Sequence, residues 1–319
     1  MICTFCYRHC DIKEGGEGFC RVRKVRDGCL FSSGYGFLEA ISIDPVEKKP
    51  LYHFLPGTKT LSVAEAGCNY RCDFCQNWQL SQSEKSKNST FVSPQKLVDL
   101  AVQYKTPSIS FTYSEPIVWQ DYVTDTAALA KSKGIKTIMV TNGSFSKETR
   151  TRISSLIDAF NIDLKGDEKY YNTVCKSEIG PVLDGIEYMV KEGCHVEVTT
   201  LLIEGIHTSD MVIKLGKALK ERGVQVWHLT RFFPNYKMND RKETSEKYLS
   251  DMINIARGSG IPYIYGGNTS ALYSTYCPSC GKELISSTQR EKKSEQDSRE
   301  HIKNGRCIYC NTPIYGVFD

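Results

Sequence analysis

The stretch Thr60–Trp78, TLSVAEAGCNYRCDFCQNW, joins two kinds of information. TLSVAEA is β-prone and runs directly into GCNYRCDFCQNW, where Cys68, Cys72 and Cys75 follow the spacing C-x3-C-x2-C. A strand that ends in a cluster of metal-binding thiols is a strand whose C-terminal end carries chemistry. Three thiolates on one loop can wrap a cuboidal four-iron cluster, which usually takes four cysteines. No fourth cysteine is near in sequence; the next is Cys175. With three ligands one iron keeps an open position, and an open metal position is where catalysis occurs. Spacing alone also permits a three-cysteine zinc site with a distant fourth ligand.

Downstream, strand and helix patterns alternate. SPQKLVDLAVQY reads as a helix, with Ser93 as its cap and Pro94 in its first turn. SISFTY is a strand, 118–133 a helix, TIMVT a strand and 147–156 a helix. AFNIDL, HVEVTTLL, QVWHLT and IPYIYGG are further strands, separated by helices around 185–192, 210–221 and 243–257. Such alternation over ~210 residues means a parallel sheet, open or curled into a barrel. Distinctive polar groups then fall at successive strand ends: Glu115, Thr141 with Asn142, Asp163 with Lys165, Glu204, His228 with Arg231, and Asn268. A barrel places its chemistry at that rim.

The 319 residues are 40% hydrophobic and 24% charged, with net charge +4. This composition supports a sizeable core and argues against disorder and against a nucleic-acid footprint. The longest apolar runs fall far short of the ~18 residues of a membrane span. MICTFCYRHC is no export signal, so a cytoplasmic location is expected. In the reducing cytosol, clustered cysteines are more often metal ligands than disulfides. Of fourteen cysteines, eleven lie in three groups. Cys277, Cys280, Cys307 and Cys310 form two C-x2-C pairs, the pattern of a tetrahedral S4 site for zinc, with rubredoxin-like iron as the alternative. The charged segment between the pairs reads as a solvated loop. Cys3, Cys6, Cys10 and Cys20 can complete a closed shell around zinc or a second iron–sulfur cluster, and spacing does not separate the two. RVRKVR, which follows, reads as a solvated strand edge, and CLFSSGYGFLEAISID as a hairpin bending at Gly34 and Gly36. DPVEKKP reads as an extended connection. The chain thus divides into a cysteine-rich front domain (1–58), a barrel (59–273) and a ribbon-like tail (274–319).

C-x3-C-x-aromatic-C after a first barrel strand, with Phe74 as the aromatic, resembles the signature of radical S-adenosylmethionine (radical SAM) enzymes. DPVEKKPLYHF, FTYSEP, VTNG, IDLKG and CPSCG, in that order, extend the resemblance to one branch of the pyruvate formate-lyase activating enzyme relatives, the radical SAM enzyme of the AmmeMemoRadiSam system. The resemblance implies an α/β fold, a partial parallel (β/α)6-type radical SAM barrel with a cysteine-rich N-terminal domain and a C-terminal zinc ribbon. It implies a [4Fe-4S] cluster on Cys68, Cys72 and Cys75, reductive cleavage of SAM to a 5′-deoxyadenosyl radical, and hydrogen-atom abstraction from an unidentified substrate. Within the pocket it implies that Glu115 accepts from the SAM ammonium. Lys165 pairs with the SAM carboxylate, Thr141 and Asn142 bond ribose or carboxylate, and the backbone at Phe74 meets adenine. Asp163 holds Lys165 or a cation, and His228 reaches ribose. Plainer roles stay open: an internal salt bridge for Asp163 and Lys165, a loop carboxylate for Glu115, a core histidine for His228. Implied partners are a Memo-family protein, an AMMECR-domain protein and an electron donor such as flavodoxin or ferredoxin. A glycyl-radical-enzyme activase, a multi-zinc RNA-binding module and an iron–sulfur redox sensor are the competing functions.

Overall fold

The computed structural model describes residues 1–83, 89–271, 273–287 and 300–318. Seven parallel strands lie side by side in chain order: β1 (Lys59–Ala64), β2 (Ser108–Phe111), β3 (Lys136–Thr141), β4 (Ala159–Asp163), β5 (His195–Leu202), β6 (Val226–Arg231) and β7 (Tyr263–Gly267). Six helices connect them: α1 (Pro94–Gln103), α2 (Gln120–Ser132), α3 (Lys147–Ser154), α4 (Gly180–Lys191), α5 (Ser209–Glu221) and α6 (Glu246–Arg257). The result is a partial α/β barrel. Serine and threonine caps start four of these helices: Ser93, Ser146, Thr208 and Ser245 each accept from the backbone N–H three residues on.

The strands are buried on both faces, but the faces differ. Leu61, Val63, Ile109, Phe111, Phe160, Ile162, Val198 and Leu229 belong to the apolar core that includes the helices' inner faces. The alternating residues Thr60, Ser62, Ser108, Ser110, Asn161, Glu197, Thr199 and His228 are buried polar groups. A period of two separates the layers, and several members of the polar one pair with each other. Thr60 and Ser110 hydroxyls lie 2.7 Å apart, and Asn161 bonds Thr199 at 2.9 and 3.0 Å.

Four expectations change. The strand Ala40–Pro45 pairs antiparallel with β1 and forms one edge of the eight-stranded sheet, so the chain before residue 59 is not wholly separate from the barrel. The hairpin does not bend at Gly34 and Gly36. Arg23–Arg26 pairs with Cys29–Ser32 around Asp27-Gly28, where both residues have positive φ (51° and 69°). Asp-Gly suits this two-residue turn because its backbone twist matches the strands. RVRKVR is only partly a solvated edge, since Arg23 is buried between the Phe5 ring and Asp121. DPVEKKP holds a short 3-10 turn, Val46–Lys48. The charged loop expected between the tail cysteine pairs lies largely at 288–299, outside the described residues. Among the described residues no helix is long and apolar enough to cross a membrane.

Glu197 anchors the barrel interior. Its carboxylate accepts from His195 (3.0 Å), His228 (2.6 Å) and the backbone N–H groups of Tyr52 and His53 (3.0 and 2.8 Å). Burial acts to raise its pKa, but the two histidine bonds outweigh burial and hold it well below the usual carboxylate range. That contribution to stability is complete above an ordinary carboxylate pKa of about 4.3 and is lost as pH falls. Glu197→Ala should cost ~3–5 kcal/mol, because it orphans several buried donors. Denaturant unfolding at neutral pH checks this, and Glu197→Gln should show a shallower loss of stability in acid.

Candidate active site

β1 delivers the cysteine loop to the rim. Backbone bonds from Arg71 N–H to the Cys175 carbonyl (3.0 Å) and from Asp73 N–H to the Val174 carbonyl (3.1 Å) brace it against a π-helical turn, Tyr171–Cys175. The Cys68 sulfur accepts from Tyr70 N–H at 3.3 Å, and Cys75 lies 3.2 Å from the Ser81 hydroxyl. As free thiols, Cys68 and Cys75 are pushed up in pKa by burial, and Cys72 by its hydrogen bond with Cys175 and then by burial. A metal loading here must therefore displace protons.

Glu115 ends the loop after β2. It accepts from the Thr141 hydroxyl (2.6 Å), Asn142 N–H (2.8 Å) and Ile117 N–H (3.1 Å). Burial pushes its pKa up to about 7 against the pull of these donors. The Asn142 side chain donates to Asn69 at 2.7 Å and accepts from the Ser144 hydroxyl, so it binds the β3 turn to the cysteine loop. The turn needs Gly143: its φ is +72°, and a Cβ would sit 2.5 Å from Ile162 Cγ2. After β4, Lys165 Nζ lies 2.7 Å from Asp163 and 5.9 Å from the centroid of the Phe74 ring. Burial opposes the Lys165 charge, but Asp163 and the surrounding thiols hold its pKa well above the usual lysine range.

Cys68, Cys72, Phe74, Cys75, Glu115, Thr141, Asn142, Asp163 and Lys165 line one cavity of about 430 Å³. His228 does not. It lines an adjoining cleft of about 740 Å³, with Nε2 committed to Glu197. Lys49, Tyr113, Thr230 and Asn268 border both spaces. Arg231 and Glu204 are engaged elsewhere at the rim, with Glu243 and Glu246 and with Ser245 respectively.

The family model for the radical SAM superfamily matches residues 65–206, the segment that carries this cavity. A protein of Methanocaldococcus jannaschii, described only as uncharacterized, is 39% identical over 98% of this chain and 94% of its own length. The chain belongs to the radical SAM superfamily. Proteins of this superfamily bind a [4Fe-4S] cluster and SAM. The 7-carboxy-7-deazaguanine synthase of Methanothermobacter thermautotrophicus is 30% identical over 119 residues, 36% of this chain and 45% of the synthase. Streptococcus suis SuiB bound to S-adenosylmethionine aligns with a TM-score of 0.53 at 13% identity, covering 70% of this chain and 53% of SuiB. That likeness supports the radical SAM fold.

Two residues at the site escaped sequence reading. Cys175 lies 100 positions beyond Cys75, yet its thiol meets Cys72. Lys49 sits in DPVEKKP, a stretch read only as a connection. It is buried 2.8 Å from Asp44, and Tyr113 donates to the same carboxylate at 2.5 Å. Lys48 lies between the same two prolines and is exposed, so nothing in DPVEKKP singles out Lys49.

In the tail, Cys277 and Cys310 sulfurs are 3.5 Å apart, Cys280 and Cys307 3.8 Å, and all four lie within 4.8 Å of one another. The two knuckles repeat one turn: Gly281 N–H bonds the Cys277 carbonyl and Asn311 N–H the Cys307 carbonyl. Cys280 and Cys310 are exposed. The double variant Cys280→Ser/Cys310→Ser should lose one metal ion per chain while the β1 loop keeps its iron. Elemental analysis checks this; unchanged metal content would count against a metal site here.

Proposed function

We propose that this chain cleaves SAM reductively in the cavity above β1 to β4 and uses the product radical to take a hydrogen atom from a substrate in the adjoining cleft. The observation that carries the reading is the convergence of three thiols, a buried carboxylate and a buried ammonium on one cavity. The donor set fits a four-iron cluster with one open corner, because Cys175 meets Cys72 but is not among the residues lining the cavity. When bound, the cluster supplies the electron that breaks the sulfonium bond, giving methionine and a 5′-deoxyadenosyl radical.

The chain's own residues bind and orient. Lys165 is held charged by Asp163, so it offers a preset cation to the SAM carboxylate. Glu115 keeps free acceptor capacity for the SAM ammonium, while its three donors fix the carboxylate plane. Thr141 and Asn142 act through Glu115 and the β3 turn. Phe74 forms the wall beneath adenine. His228 orders the barrel interior, and we assign it no ribose contact. The cleft is bordered by the edge strand and β7, which share no ladder. Substrate reaches the radical through that opening, past Lys49 and Tyr113. We read the tail as a zinc ribbon, since four sulfurs about 2.3 Å from one zinc sit about 3.8 Å apart.

The whole-chain motif order further supports membership of the AmmeMemoRadiSam system, among the pyruvate formate-lyase activating enzyme relatives. We therefore infer a Memo-family protein and an AMMECR-domain protein as partners, with flavodoxin or ferredoxin as electron donor.

Anaerobic reconstitution with iron and sulfide, then SAM and a strong reductant, should yield 5′-deoxyadenosine. The Cys68→Ala/Cys72→Ala/Cys75→Ala variant should yield none. A wild-type chain that holds its cluster but neither binds nor cleaves SAM would overturn the reading. Lys165→Met should keep the cluster but weaken SAM roughly 10- to 100-fold, the loss of a charge-assisted contact. Equilibrium binding checks this.

A further inference from the structure

We propose that Cys3, Cys6, Cys10 and Cys20 hold a single zinc ion that fixes the β1 cysteine loop from behind. These four line a space apart from the SAM cavity, and filling it needs no SAM chemistry.

The space sets the size of the occupant. All four cysteines surround a cavity of about 10 Å³, the room of one water-sized sphere. That admits one ion. It excludes a four-iron core, which needs a separate iron corner for each thiolate. Cys3, Cys6 and Cys20 are buried and Cys10 is half-buried. A tetrahedral shell of four thiolates with no open position is the pattern of structural zinc. Among the described residues the tail four are the group already gathered within 4.8 Å of one another. At the front, the sulfurs close inward on the gap between them when the ion enters.

The backbone treats these sulfurs as it treats those of the other two groups. In the tail, Cys280 and Cys310 accept from the N–H two residues on, at Lys282 and Thr312. In the β1 loop, Cys68 and Cys75 accept likewise from Tyr70 and Asn77. At the front, Cys6 accepts from Arg8 N–H, and Cys20 from the N–H groups of Val22 and Arg23. An amide aimed at a buried sulfur favours the thiolate, the form that binds metal. Charge agrees with this. Arg8 and Arg23 line the space. Arg23 is buried, and its Nε has no hydrogen-bond partner, although Asp121 holds another nitrogen of the guanidinium. Zinc with four thiolates is doubly negative and compensates such buried cations.

Position supplies the role. Asn69, the neighbour of Cys68, lines the space, and its side-chain amide donates to the Cys6 sulfur. The same amide donates to the Ser144 hydroxyl at 2.9 Å and accepts from Asn142 at 2.7 Å. Arg8 Nε donates to the Asn69 carbonyl at 2.7 Å. On the other side of Cys68, Gly67 has φ +100°, and a Cβ there would lie 3.1 Å from the Cys20 carbonyl. Two ligands of the front ion thus touch the β1 loop directly, and one of them reaches the β3 turn through Asn69.

The test uses the full chain, reconstituted without oxygen with ferrous iron, sulfide and zinc. The wild-type chain should hold about two zinc and about four iron. About one zinc, or about eight iron, overturns the assignment. Combining Cys68→Ala/Cys72→Ala/Cys75→Ala with Cys280→Ser/Cys310→Ser leaves the front four as the intact group. That variant should keep about one zinc and no iron, and cobalt(II) in its place should show thiolate charge-transfer absorption. No bound metal, or iron with sulfide, overturns the site. Stripping its zinc with a chelator should speed amide exchange at Arg71 and Asp73 at least tenfold. Unchanged exchange overturns the supporting role. Should this variant fail to fold, Cys6→Ser/Cys20→Ser in the natural background decides. Its zinc content should fall from about two to about one per chain, and an unchanged content overturns the site. None of these readouts involves SAM, so they stand or fall separately from the radical SAM reading.

Discussion

Three segments of this chain meet at one carboxylate. Glu197 on β5 takes hydrogen bonds from His195 on its own strand, from His228 on β6, and from the backbone at Tyr52 and His53. His53 in turn reaches Tyr265 on β7 and the Tyr315 carbonyl in the tail, 2.7 Å each. The Tyr315 hydroxyl closes the loop on the backbone of Val196. A buried charge is tolerated only when its acceptor capacity is filled. Filling it here fixes the front connection, two central strands and the tail relative to one another. The rim then inherits a rigid base, which a cavity built from the ends of four strands requires.

Much of the fold was legible because its signals are local. Ser93-Pro94 and the apolar spacing of Leu97, Val98 and Ala101 mark α1 without reference to anything distant. The rim residues were legible because strand ends are where a parallel barrel places its loops. What was not legible depends on contacts far apart in sequence. Cys175 meets Cys72 only through the π-helical turn, and His228 turns to Glu197 because the interior layer is polar. Gly34 and Gly36 drew the hairpin away from Asp27-Gly28, although the latter is the stronger turn signal. The edge strand was hidden because nothing in Ala40–Pro45 says which strand it will join.

The three cysteine groups show how little ligand identity says about the metal. All present thiols on short loops, yet the tail draws its four sulfurs within 4.8 Å of one another, while Cys68, Cys72 and Cys75 line a cavity of about 430 Å³. Backbone geometry makes the difference. Two hairpin knuckles point four thiols at one centre, whereas the β1 loop spreads three around a volume.

The unpaired gap between the edge strand and β7 has a mechanical meaning. Neighbouring strands in a sheet are held near 4.8 Å by their ladder, and register moves in whole residues. Across this gap no ladder sets the distance. Its width is a continuous variable, governed by the side chains and the connection that line it. Widening or narrowing it breaks no strand pairing, so the aperture can change while the cysteine loop on β1 stays put.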